Sequence, residues 1–229
     1  MKRFLFAAMA ACAITQFASA QNLLTNGDLE LPLDAPNESN DADGWTLTEV
    51  GVDATGAPLD TASFVNFANH TTGGDRGLWF RSFMGGLIQG GSPTVDAILH
   101  QGVPATPGTQ YTLSAWYRFE QFYSGGDPLQ DTQTLLSLEF FDAGNVLLSA
   151  SVLDVEQLVA NGADWTQVTV SGTAPAGAAS VHAVASFLDG VLETQNPQSA
   201  FVDDFVLVPE PTSLLLFAPL LLGLARRRG

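Results

Sequence analysis

Trp116 lies in the run Tyr111-Thr112-Leu113-Ser114-Ala115-Trp116-Tyr117-Arg118-Phe119. Side chains of an extended strand alternate between its two faces. Trp116 therefore shares a face with Thr112, Ser114 and Arg118, while Tyr111, Leu113, Ala115, Tyr117 and Phe119 take the other. An indole beside hydroxyls and a guanidinium can hold a sugar, because the ring packs on the C–H face and the polar groups fix the hydroxyls. The next apolar run puts Leu136, Leu138 and Phe140 on one face and Ser137 and Glu139 on the other. If that strand pairs with the first, Ser137 and Glu139 extend the Trp116 surface. Trp79, Phe122 and Tyr123 offer further rings from adjacent segments. The same pattern also describes a tryptophan packed beneath a loop, since aromatic residues favour strands for their packing. Trp45 and Trp165 are assigned to the core or a sheet edge.

Catalytic chemistry has less to stand on. Glycoside hydrolysis needs two carboxyls flanking one bond at a fixed separation. The chain has 24 acidic residues, so some pair meets that separation by chance. His70, His100 and His182 are scattered without metal-ligand spacing, and His100, next to an expected strand end, reads as structural. No G-x-S-x-G elbow and no phosphate-binding glycine loop occurs.

The elements that must position these residues are strands. No helical period of useful length runs between Gln21 and Val208; short alternating runs bounded by Gly, Pro, Asn and Asp recur instead, the pattern of a sandwich or barrel. Pro107-Gly108 supplies a turn before the Trp116 strand, and Asp142-Ala143-Gly144-Asn145 a hairpin turn into 146–153. Further strands are predicted near 45–50, 77–83, 95–103, 165–171, 181–188 and 200–208. Longer loops fall at 33–43, 51–61, 121–132 and 189–198, with a glycine-rich loop at 85–91. The expected fold is all-β: one antiparallel β-sandwich over residues 21–208, a length sufficient for a single core.

Both ends read as addresses. Met1-Lys2-Arg3, an apolar run and Ala18-Ser19-Ala20 form a secretory signal-peptide helix over residues 1–20, cleaved by signal peptidase after Ala20. The only cysteine, Cys12, falls inside it, so the mature chain forms no disulfide. Residues 209–229 combine Pro209-Glu210-Pro211, an apolar helix-length stretch and Arg226-Arg227-Arg228. A spacer, a short hydrophobic segment and a positive stop would hold this end at an inner membrane with its arginines on the cytoplasmic side. Between the two ends only Arg76, Arg81 and Arg118 oppose 23 acidic residues. Such a surface repels nucleic acid and anionic lipid and suits neutral partners or bridging cations.

Two family resemblances rest on these residues. The C-terminal triplet of features resembles the PEP-CTERM sorting signal, which implies an exosortase-type processing enzyme. It also implies a Gram-negative-type envelope and association with exopolysaccharide or biofilm matrix. The middle of the chain resembles a CenC-type carbohydrate-binding module (families 4 and 9, a galactose-binding-like jelly roll). The landmarks are Asn22–Glu30, Asp43-Gly44-Trp45, Pro107–Trp116, Trp165–Val168 and Ala200–Phe205, in order along the domain. That resemblance implies first and last strands side by side, with Glu30 and Asp203 close enough for a structural calcium and Asp28 as an additional ligand. Calcium accepts such mixed carboxylate and carbonyl shells. Asp204, alternating away from Asp203, is expected on the opposite face. The functional expectation is an exported, surface-sorted, non-catalytic module binding polysaccharide. The alternatives are a matrix or adhesion sandwich without a glycan site and, more remotely, a glycoside-active enzyme.

Overall fold

The computed structural model describes residues 21–33, 38–86, 91–123, 132–162, 164–191 and 199–210. The expected signal-peptide and C-terminal helices fall outside them, as do Ala20, Pro211 and Arg226–Arg228.

Every regular element of length among the described residues is a strand. They are β1 (Glu38–Ser39), β2 (Thr46–Val50), β3 (Ala62–Val65), β4 (Gly77–Arg81), β5 (Val95–Pro104), β6 (Gln110–Phe119), β7 (Gln133–Phe141), β8 (Leu147–Asp154), β9 (Thr166–Thr173), β10 (Ser180–Gly190) and β11 (Ser199–Pro209). They form two antiparallel sheets, β1-β3-β4-β11-β6-β9 and β2-β5-β10-β7-β8. This is the two-sheet sandwich that the alternating runs predict. The inner rows fill its core: Leu113, Ala115 and Tyr117 of β6 and Leu136 and Leu138 of β7 are buried, together with Ala183, Ala185 and Phe187 of β10.

Two strands escape the sequence pattern. β3, Ala-Ser-Phe-Val, is buried on both faces, so it shows no polar alternation. β1 has two residues, too few for any period. The larger departure concerns pairing. β6 and β7 follow each other in sequence but belong to opposite sheets: β6 lies between β11 and β9, β7 between β10 and β8. Chain neighbours pair in a meander, whereas a two-layer sandwich sends many connections across its core.

The N-terminal segment lies along β11, as the resemblance implies. The Leu23 amide donates to the Leu207 carbonyl at 2.8 Å, and the Phe205 amide to that of Gly27 at 2.6 Å. Trp45 packs on Phe205 at 4.7 Å and donates its indole N–H to the Asn26 carbonyl, which makes it a core residue. At the other end the sheet extends past Val208. Pro209 pairs with Tyr111, the Glu210 amide donates to the Gln110 carbonyl, and the Glu210 carboxylate accepts the Thr112 hydroxyl at 2.7 Å. Pro209 of the Pro-Glu-Pro triplet thus belongs to the sheet, and Glu210 is hydrogen-bonded to it.

Candidate ligand groove

Trp116, Thr112, Ser114 and Arg118 share the outer face of β6, as their alternation requires. Its Trp116–Arg118 end is partly covered. Residues 66–71, leaving β3 through a short 3-10 turn, cross it. The loop can lie close because Gly77 has no side chain: a Cβ there would collide with the Ala68 carbonyl. The His70 imidazole stacks on Trp116 at 4.2 Å and 19°, and meets the edge of Trp165 at 5.3 Å. Arg118 lies over the rings of Phe201 and Trp165 and donates to the Phe67 carbonyl at 3.0 Å. Trp79 packs against Phe67 and bonds the Ser199 hydroxyl. Val65, Ala68 and Phe201 are buried here as a second small core, with Trp79 and Trp165 against it. Of the two readings of Trp116, the structure shows the packed one: a sugar would have to displace His70 from the indole. Two other expectations are corrected. Tyr123 is buried, 2% exposed, with its hydroxyl on Thr134 at 2.8 Å, so it faces the core. Glu139 does not join Trp116, because β7 belongs to the other sheet.

The expected calcium ligands hold the same loop. Asp203 is fully buried and accepts the backbone N–H of His70 (2.7 Å), Thr71 (3.2 Å) and Asp204 (2.7 Å). Burial outweighs these donors and lifts its carboxyl to about 8. Asp204 does not alternate away. A β-bulge between Asp203 and Val206 and a left-handed Asp204 (φ 53°) turn its carboxylate to His70 Nδ1 at 2.5 Å and to the Thr71 hydroxyl. Glu30 takes the far end of the loop, accepting the Asp75 amide at 2.7 Å and the Arg76 amide at 3.3 Å. Asp28 is exposed. Among the described residues no three His, Cys, Asp or Glu side chains converge to hold a metal ion. Of the three expected ligands, Asp203 and Glu30 are engaged by backbone N–H groups of the loop.

Among the described residues an open surface lies on the other sheet. Its outer face holds a groove of about 290 Å³ lined by Ile98, His100, Glu139, Phe141, Asn145, His182, Val184 and Ser186. Strand register explains the assembly, since directly opposed residues share a face. One row across the sheet reads Thr46, His100, Val184, Ser137, Val152; the next reads Gly102, His182, Glu139, Ala150. His182 faces Glu139 directly across the β10–β7 pair. The imidazoles of His100 and His182 stack at 5.9 Å and 12°. Phe141 supports His182 from the other side at 4.5 Å. Gly102 is the seat of His182: a Cβ there would lie 2.6 Å from His182 Nε2.

Partial burial sets the charge of these groups. Desolvation holds both imidazoles below the ordinary histidine range, and for His182 the neighbouring His100 adds to it. Desolvation also raises the Glu139 carboxyl. The groove combines an aromatic ring, aliphatic side chains and hydrogen-bonding imidazole, carboxyl, amide and hydroxyl groups, a lining suited to a small polar ligand. Sequence reasoning placed Glu139 on an outward face but on the wrong sheet, and set His100 and His182 aside. They are 82 positions apart, and only the β5–β10 register joins them.

No protein-family model and no curated protein matches the chain. Its fold is shared by solved structures of low sequence identity. The enzymatically active domain of bacteriophage CBA120 tailspike protein 4 aligns over 82% of this chain and 21% of that one (TM-score 0.55, 15% identity). A family 61 carbohydrate-binding module, solved with β-1,4-galactotriose, aligns over 83% of this chain and its own entire length (TM-score 0.50, 15% identity). An arabinose-bound GH51 α-L-arabinofuranosidase aligns over 82% of this chain and 26% of that one (TM-score 0.51, 13% identity). The chain thus spans about a fifth and a quarter of the two enzymes and all of the binding module. At such identities the likeness is one of fold.

Proposed function

We infer that this chain is a non-catalytic module that binds extracellular polysaccharide, with its glycan site on the outer face of the five-stranded sheet. The open groove beside Glu139, His182 and Phe141 carries the reading. The fold is also that of a carbohydrate-binding module solved with a galactotriose, which supports the ligand class by analogy. Among the described residues Glu139 is the one carboxylate lining the groove, so the reading is of binding rather than of the facing carboxyl pair of a glycoside hydrolase. Glu30 and Asp203 serve in this reading as clamps of the 69–76 loop rather than as calcium ligands. Export through residues 1–20, cleavage after Ala20, and sorting through 209–229 to an envelope surface or exopolysaccharide matrix complete the proposal. The signal peptidase and an exosortase-type enzyme would be processing partners.

The test is a glycan array probed with the protein, followed by Phe141→Ala and Trp116→Ala variants. Binding that is lost on Phe141→Ala and kept on Trp116→Ala is expected. No binding to any glycan would leave the second reading, a matrix or adhesion scaffold, which the loop-covered Trp116 face favours.

A further inference from the structure

Few groups can change the groove's charge. The three arginines between the two terminal segments all belong to the other side of the sandwich: Arg81 on β4, Arg118 on β6, and Arg76 just before β4. Around the groove, β2 contributes Thr46, Thr48 and Val50 and β8 contributes Ala150 and Val152, none titratable. The nearby acids on the same face or at its ends are turned to backbone donors. Asp96 on β5 accepts the Asp189 amide, Asp142 before the β7–β8 turn accepts those of Gly144 and Val146, and Asp154 at the end of β8 accepts that of Glu156. Glu139 on β7 and the two imidazoles on β5 and β10 are the titratable groups lining the groove itself.

We propose that the groove selects uncharged glycans and that the stacked His100–His182 pair makes their binding proton-sensitive, so that ligand is held near neutral pH and released on acidification. This rests on the glycan reading of the groove. An anionic sugar would meet Glu139 with no fixed cation beside it, within a chain of net charge −16. A hydroxyl-rich neutral sugar can both donate to the lone pair of a neutral imidazole and accept from its N–H. Protonation removes the lone pair and sets two like charges face to face at 5.9 Å. Both imidazoles are already held low by desolvation, and a bound ligand excludes still more water. Neutral rings are therefore the binding-competent state. Where one imidazole must be neutral, affinity falls about tenfold for each pH unit below its pKa, and the dependence steepens where both must be.

The experiment has two arms. In the first, NMR follows the imidazole signals of the ligand-free protein from pH 4.5 to 8. His100 and His182 should titrate below the ordinary histidine value of about 6.5, and His100→Gln should raise the midpoint of His182. In the second, calorimetry measures β-1,4-galactotriose, xylohexaose and tri-galacturonate against the protein at pH 7.5 and 5. A neutral oligosaccharide should bind at pH 7.5 and weaken on acidification by about tenfold for each pH unit below the imidazole midpoints found in the first arm, with tri-galacturonate far weaker at pH 7.5. His182→Gln should bind less tightly but with a flattened pH profile. Neutral-glycan binding that is flat with pH, or tri-galacturonate binding equally well at pH 7.5, overturns the proposal and leaves the groove reading standing. No binding of any of the three at either pH overturns both.

Discussion

On the six-stranded sheet the outward rings of Trp79, Phe201, Trp116 and Trp165 pack against residues 66–71 or against side chains that do, whereas on the five-stranded sheet Phe141, His182, Glu139 and His100 line an open groove. The covered face holds three of the chain's four tryptophans and is the more aromatic. Yet its rings are consumed by packing: His70 on Trp116, Phe67 on Trp79, Arg118 on Trp165. The open face has one phenylalanine and two imidazoles and stays accessible. An aromatic on an outward strand position is thus a ligand platform only if no loop claims it. The claim here is made by Asp203, Asp204 and Glu30, which hold the loop by its backbone and by His70 and Thr71.

The largest expected effect breaks that claim. Asp203→Ala leaves backbone N–H groups of His70, Thr71 and Asp204 without their acceptor. It should destabilise the protein by roughly 3 kcal/mol, read by urea unfolding, while groove binding of the folded protein is unchanged within about twofold. Next, Trp116→Ala should cost about 2 kcal/mol of stability through lost packing and leave glycan affinity intact. A parallel loss of affinity would move the site back to the covered face. Gly102→Val should do the reverse. The new side chain displaces His182 from its seat, and affinity should drop about tenfold, roughly 1.4 kcal/mol, by calorimetry.

Asp203 also gives the covered face its own pH signature. An aspartate of the unfolded chain titrates near 3.8, and the folded one near 8. The folded state holds the proton more tightly, so this contribution to stability is complete below about pH 4 and is lost as pH rises through 8. Stability at pH 9 should be lower than at pH 6 in the parent protein, with the difference reduced in Asp203→Asn. The smallest expected effect is none: chelation with EDTA should leave the melting temperature unchanged. A drop of several degrees would show a cation stabilising the native state and would return Glu30 and Asp203 to a metal role.

Much of the sandwich was legible in the sequence, because alternation survives wherever one strand face meets core and the other water. The β6 run Tyr111–Phe119 is the clearest case, with its buried and outward rows as read. β3 was not legible, since a strand buried on both faces has no contrast to read. Neither was the site. Alternation tells which residues share one strand's face but not which sheet the strand enters. Glu139 was therefore rightly turned outward and wrongly joined to Trp116. Asp204 was misplaced because a bulge breaks the period of two, and nothing local in Val-Asp-Asp-Phe announces a bulge. His100 and His182 carry no spacing signal at all; their meeting is a matter of long-range register.

The three histidines divide cleanly between the faces, which makes them reporters for the central claim. His70 stacks on Trp116 under the loop, while His100 and His182 line the groove. Imidazole NMR signals recorded during titration with a neutral oligosaccharide identified on the array test the site directly. The account predicts that His100 and His182 shift with saturation while His70 stays in place; movement of His70 alone would contradict it.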